Sequence, residues 1–324
     1  MRMIYMSFFL GLILICKGGD WFIDAASKIS EMLGIPKYVV GATIVSFATT
    51  MPEIIVSVAS ALKGHSIMAI GNAVGSVSAN TGIILAISLF FLPVAIKREE
   101  YFLKTILYIG TVLLLFISFQ DRIFDRSDCL LLLLAGILFL VMNVKNAVNK
   151  KTKENGIRQS DRAKLQKRRK EQKESLWKVL IWFCIGAVAI VAGSELLVQS
   201  ACEIAEKLHI SEDIISVTIV AMGTSLPEFV TTVTAIIKKE SSLSVGNIVG
   251  ANMIDSAFIL PVCTLIGGKS LPVSSQMAVI DMPVCMLLSV VALLPMLVRK
   301  KIKRTDGIVT FLIYSGYLFY ICIK

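Results

Sequence analysis

The stretch from Gly41 to Ala86, GATIVSFATTMPEIIVSVASALKGHSIMAIGNAVGSVSANTGIILA, returns without a gap as Ser216 to Pro261, SVTIVAMGTSLPEFVTTVTAIIKKESSLSVGNIVGANMIDSAFILP. Glu53 falls on Glu228, Gly75 on Gly250 and Asn80 on Asp255 at one constant spacing; roughly a third of the paired positions are identical. At the same spacing, GGDWFIDAASKISEMLGI at 18–35 matches GSELLVQSACEIAEKLHI at 193–210, so the duplication covers most of each half. A chain written twice in this way is expected to fold as two related units. Each copy carries one carboxylate after a proline inside an apolar run. Two such half-sites facing each other would make one cation site.

The medium in which the halves meet follows from composition. Hydrophobic residues make up 56% of the chain, charged residues only 17%, and mean hydropathy is +0.77. Several apolar runs are long enough to span a bilayer, which excludes a soluble domain and points to a polytopic membrane protein. The opening MRMIYMSFFLGLILICKGGDWF has no small-residue cleavage site before its next polar stretch, so it is read as a first membrane helix and not as a cleaved signal. Seven cysteines (Cys16, Cys129, Cys184, Cys202, Cys263, Cys285 and Cys322) stand singly, mostly within apolar segments. They suit packing better than a metal or disulfide role.

Apolar segments fall near 3–30, 37–62, 66–92, 102–118 and 128–148, then near 176–206, 213–237, 242–267, 274–298 and 306–323. The expected fold is an all-α polytopic membrane protein of ten transmembrane helices in two five-helix repeats, 1–148 and 176–324, joined by a linker at 149–175. That linker is strongly basic, so it is expected in the cytoplasm; topology explains its charge without nucleic acid. Lys97-Arg98 and the Arg299–Arg304 cluster then also fall inside, and the acidic-leaning loop 121–128 outside. Both termini come out external. An odd number of helices per half inverts the second repeat, the arrangement of many secondary transporters, whose substrates bind at the repeat interface.

The chemistry lies in FATTMPE and MGTSLPE. Thr49 and Thr50 precede Glu53 by four and three residues, and Thr224 and Ser225 precede Glu228 likewise, so hydroxyls and carboxylate share a helix face. Pro52 and Pro227 cannot donate to the carbonyl four residues back, which frees backbone oxygens at Ala48 or Gly223 and disturbs their neighbours. Hydroxyl, carbonyl and carboxylate oxygens together suit hard cations such as calcium or sodium. A proline alone would be a kink and a threonine alone a packing residue; an ionisable group deep in an apolar segment is a functional candidate by default. On the partner segments, Asn72, Ser76 and Asn80 form one polar stripe at four-residue spacing, as do Asn247, Ala251 and Asp255. Gly71 with Gly75 and Gly246 with Gly250 allow helices to approach closely. Asp255 adds a third acidic group, and such a cluster requires cations or protons away from water.

These paired stretches resemble the alpha repeats of the cation/calcium exchanger superfamily, most closely the prokaryotic sodium/calcium exchangers. The GTSLPE and GN-x-x-G motifs, their duplication, the ten-segment pattern and the basic central loop all fit, over nearly the whole chain. The resemblance implies calcium held by Glu53 and Glu228 with backbone oxygens at Thr49 and Thr224. It implies sodium sites at Thr50, Ser76, Ser225, the carbonyls near Ser46 and Ala221, and the same glutamates, with Asn80 and Asp255 lining the centre and Asn72 and Asn247 beside them. The family pattern has a serine hydroxyl at Ala251, so one ligand is missing there, whereas Thr50 keeps the hydroxyl of the serine common at its position. The implied activity is sodium/calcium antiport by alternating access in the plasma (cell) membrane, extruding calcium, with no cofactor beyond the transported ions. The site is complete within one chain, and the bilayer is its other partner.

Other readings make different demands. Proton/calcium exchange would have the glutamates carry protons, since the two histidines, His65 and His209, sit near loops; potassium-dependent exchange is a further variant that Asp255 alone does not decide. A cation channel would not need inverted halves around one central site. An intramembrane enzyme would need a motif such as H-E-x-x-H or a Ser–His pair, and neither appears.

Overall fold

A computed structural model describes residues 2–91, 98–157, 162–207, 223–299 and 303–323. Over these residues the chain is predominantly helical: α1 (Arg2–Leu33), α2 (Lys37–Thr49), α3 (Met51–Leu62), α4 (Ser66–Phe91), α5 (Arg98–Ser118), α6 (Arg126–Ile157), α7 (Arg162–Lys207), α8 (Leu226–Ile237), α9 (Ser241–Gly267), α10 (Met277–Arg299) and α11 (Arg304–Ile323). Six helical stretches among the described residues are long and apolar enough to cross a membrane, and the pair α2 and α3, bent by 45° at Thr50, makes a seventh. The apolar part of α5 (Phe102–Ser118) and α8 are shorter, and the start of the expected 213–237 segment lies outside the described residues.

The basic linker contributes helix on both sides. Helix α6 continues to Ile157 and α7 begins at Arg162, in keeping with the high helix propensity of its Lys, Arg, Gln and Glu residues. Among the described residues the strand pairing is a two-residue antiparallel one, Ile123–Phe124 (β1) with Leu271–Pro272 (β2), which ties the α5–α6 connection to the α9–α10 connection.

The surface is apolar, the reverse of a water-soluble fold, and a set of polar side chains is buried within the apolar core. Phe9, Ile13, Leu130, Leu134, Trp177, Val188, Leu312 and Phe319 are exposed, whereas Glu53, Thr50, Asn80, Thr81, Glu228, Thr232 and Asp255 have no accessible surface. An exposed apolar belt of this kind requires lipid.

Among the described residues, two larger bodies of packing hold most of the helices, and a third sets Ala79 of α4 against Leu288 of α10 and Tyr314 of α11. The larger gathers around α4 and α9, with Val74, Val77, Leu85, Ile248, Val249 and Met253 among its fully or nearly buried residues. The second joins α1 to α7. There Gly11, Gly18, Gly186 and Gly193 let the backbones touch: a Cβ on Gly11 would stand 2.9 Å from the Gly193 carbonyl oxygen, and one on Gly186 would stand 2.7 Å from Phe22 N. Small residues at such crossings permit the close van der Waals packing on which helix association in lipid depends. Phe22 stacks on Phe183 at 4.4 Å, and Trp21 lies 5.3 Å from Trp182.

The duplication in sequence is matched by local structure at residues 175 apart, the separation of Asn80 and Asp255. Helix α3 starts after Thr50 at φ −82°, ψ 0°, and α8 after Ser225 at φ −84°, ψ 6°. The turn that follows needs one residue with positive φ, and Gly64 (+84°) fills it in the first copy and Lys239 (+58°) in the second. Helix α4 loosens into π-helical geometry at Asn80–Leu85 and α9 at Asp255–Ile259, a rearrangement often found at functional sites.

Candidate functional site

The helix starts at Met51 and Leu226 put a proline in the first turn, where its missing N–H costs nothing because that donor has no intrahelical partner. The break expected from Pro52 therefore falls at Thr50, and Ile54 N still closes on the Thr50 carbonyl at 3.1 Å. Glu53 and Glu228 sit in these first turns, where the positive end of the helix dipole favours a negative group.

Neither glutamate has accessible surface. Both carboxylate oxygens of Glu53 lack a hydrogen-bond partner. Glu228 Oε1 accepts from Thr50 Oγ1 at 3.2 Å, and its Oε2 has no partner. Asp255, equally buried, accepts from Asn80 Nδ2 at 3.4 Å on Oδ2 and has nothing on Oδ1. Glu53 lies within Coulomb range of both Glu228 and Asp255. Ser76 Oγ, Asn80 Oδ1 and Ser225 Oγ are further buried polar atoms without a partner. None of the ion pairs among the described residues involves these three carboxylates. Buried anionic oxygens without donors are costly, and cations or protons remove that cost.

The remaining expected residues bind each copy to the other. Thr49 Oγ1 donates to the Ser46 carbonyl and to Asn247 Oδ1, each at 3.3 Å; Thr224 Oγ1 donates to Asn72 Oδ1 at 3.3 Å, the same contact with the copies exchanged. Asn72 Nδ2 donates to the Glu53 carbonyl at 3.1 Å and to Ser57 Oγ at 2.8 Å. In the second copy a hydroxyl intervenes: Asn247 Nδ2 donates to Thr231 Oγ1 at 2.9 Å, which donates to the Glu228 carbonyl at 3.0 Å. The Ser46 carbonyl also accepts from Thr50 N at 2.9 Å. Ala221 lies outside the described residues.

Among the described residues no three His, Cys, Asp or Glu side chains form a metal-binding group by themselves. A cation here would draw on hydroxyl, amide and carbonyl oxygens beside the carboxylates, a donor set for calcium or sodium.

Sequence reasoning missed a second polar group behind the site. Asn252 Nδ2 donates to Thr81 Oγ1 at 2.8 Å and to Tyr108 OH at 3.3 Å, and Tyr108 OH lies 2.9 Å from Ser289 Oγ, all buried. Ser57 and Thr231 were also passed over, although their positions four and three residues beyond the glutamates extend the same polar face.

Known proteins are similar to this chain over nearly its whole length. A family model described as "Sodium/calcium exchanger protein" matches residues 3–145 and 178–323. The uncharacterized membrane protein MJ0091 of Methanocaldococcus jannaschii is 32% identical over 95% of this chain and 94% of its own. The sodium/calcium exchanger MaX1 of Methanosarcina acetivorans is 29% identical over 97% of each. A solved structure of the sodium-calcium exchanger NCX_Mj superposes with a TM-score of 0.82 at 28% identity, covering 99% of this chain and 100% of that one.

Proposed function

This chain belongs to the sodium/calcium exchanger family, and from that membership we propose that it is an antiporter exchanging sodium for calcium at one site built by both repeats. The observation that carries the reading is the pair Glu53 and Glu228: fully buried, at equivalent helix starts, with Thr50 of the first copy donating to the glutamate of the second. In this reading calcium is held by Glu53 and Glu228 with oxygens at Thr49 and Thr224. Sodium takes the hydroxyls of Thr50, Ser76 and Ser225, the carbonyls at Ser46 and Ala221, and the same glutamates. Asn80 and Asp255 line the centre, with Asn72 and Asn247 holding the broken helices. Because calcium and sodium share the glutamates, one displaces the other, and competition couples their opposite movements.

The architecture that serves this mechanism is ten membrane segments in two inverted repeats, 1–148 and 176–324, with the basic 149–175 linker cytoplasmic, both termini external and the whole in the plasma membrane. The glycine-joined pair α1 and α7 packs against Val40 and Val45 of α2, Ala235 of α8 and Leu243 of α9, and its sliding over them would expose the site to either side in turn. Sodium entering down its gradient would drive calcium out.

The test is calcium-45 uptake into proteoliposomes loaded with sodium, with potassium or with acid at matched osmolarity. Uptake that requires internal sodium is expected. Uptake driven by the proton gradient alone would overturn sodium coupling, and conduction without any counter-ion would overturn antiport.

A further inference from the structure

Helix α2 crosses α9 at Gly250, where a Cβ would stand 2.6 Å from Ala42 Cα and 2.5 Å from Ser46 Oγ. The Ser46 hydroxyl therefore fills the notch that Gly250 leaves, one residue from Ala251, and neither Ser46 nor Ala251 has accessible surface. Ala251 is the position at which the second copy lacks a hydroxyl that the first has at Ser76. The residue 175 positions after Ser46 is Ala221. The two equivalent sets thus read Ser46, Gly250, Ala251 and Ala221, Gly75, Ser76: each has one hydroxyl, carried by the broken helix in one set and by its partner helix in the other.

We infer that the side-chain hydroxyl of Ser46 is a sodium-selective element of the transport site, supplying on its side what Ser76 supplies on the other. Ser46 Oγ donates to the Thr43 carbonyl at 3.2 Å, which points its proton at the backbone and leaves its lone pairs for a cation. It lies one helical turn before Thr50, whose hydroxyl reaches Glu228 at 3.2 Å, so both hydroxyls share a face. The calcium set proposed above, Glu53, Glu228, Thr49 and Thr224, does not include Ser46, whereas the sodium set includes its carbonyl, so a hydroxyl at this residue is expected to bear on sodium and to leave calcium little changed. This assignment rests on the antiport reading and adds the side chain of a residue otherwise expected to serve only through its carbonyl.

The experiment is sodium- and calcium-dependence of calcium-45 exchange for Ser46→Ala and for Ser46→Ala/Ala251→Ser, which moves the hydroxyl across the contact. Ser46→Ala is expected to raise half-saturating sodium roughly three- to tenfold, the worth of one polar contact, while half-saturating calcium stays near wild type and certifies a folded site. The double variant is expected to recover wild-type sodium dependence, which a packing role for Ser46 would not produce. Unchanged sodium dependence in Ser46→Ala, or a defect that Ala251→Ser leaves in place, overturns the inference while wild-type exchange persists. A wild-type protein without sodium-dependent uptake overturns the antiport reading and this inference with it.

Discussion

Helices α3 and α8 begin on the same backbone, with the residue before each near φ −83° and ψ 0–6°, a proline in the first turn and a buried glutamate behind it. The groups set on that backbone differ. In the first copy Glu53 has no hydrogen-bond donor on either oxygen and the polar stripe ends in the amide of Asn80; in the second, Glu228 holds one hydroxyl and the stripe ends in the carboxylate of Asp255. Val77 has Asn252 as its counterpart, the anchor of the buried network to Thr81 and Tyr108. The turn lysines differ as well. Lys238 reaches Asp24 at 2.7 Å and Asp20 at 3.4 Å on α1, whereas its counterpart Lys63 is exposed and makes no ion pair among the described residues. The first-turn prolines, the buried glutamates and the helix breaks are thus common to the halves, whereas the groups around them, Asn80 against Asp255 and Val77 against Asn252, differ.

The largest effects should come where the halves agree. Glu53→Gln and Glu228→Gln are each expected to abolish sodium-driven calcium uptake, since one charge at ligand distance is worth about 4 kcal/mol, on the order of a thousandfold in affinity. Flux surviving in one variant alone would break the equivalence of the halves.

Where the halves disagree, effects should be smaller and transferable. Asp255→Asn, which gives both stripes the same amide, is expected to weaken calcium dependence about tenfold and preserve exchange, since Asp255 is outside the calcium set proposed above and both glutamates remain. Adding Asn80→Asp to that variant should recover most of the loss, read from the calcium concentration at half-maximal uptake.

The crossing itself should be sensitive to a single methyl. Gly250→Ala places a carbon 2.6 Å from Ala42 Cα and 2.7 Å from the Ala42 carbonyl oxygen, and overpacking against backbone costs about 1–3 kcal/mol. A Tm lowered by several degrees in detergent is expected, and an unchanged Tm would refute the close approach. The smallest effect belongs to Lys238→Ala: partly exposed ion pairs contribute about 0–1 kcal/mol, so Tm should fall slightly at low salt and not at high salt, while Lys63→Ala changes neither.

The carboxylates and amides that the structure buries were marked in the sequence by the duplication. Glu53, Glu228, Asn80 and Asp255 stand out as ionisable or amide groups at matching places in apolar runs, and a break near Pro52 was expected, which the structure places at Thr50. What was not legible is what two distant segments do to each other. Helical spacing relates Thr49 to Glu53 within one helix, but nothing in it could join Thr49 to Asn247, 198 residues away. Tyr108 and Ser289 read as ordinary packing residues of apolar helices until Asn252 is found between them. Ser46 drew notice for its carbonyl, and only the notch at Gly250 gives its side chain a place. The linker was read by charge alone, although its Lys, Arg, Gln and Glu content also favours the helix that extends α6 and α7.

The most direct test of a single site shared by both halves is equilibrium binding of calcium-45 to the purified chain, titrated with sodium. One calcium per chain, displaced competitively by sodium, is the expected result. Two calcium ions per chain, or one that sodium does not release, would contradict it.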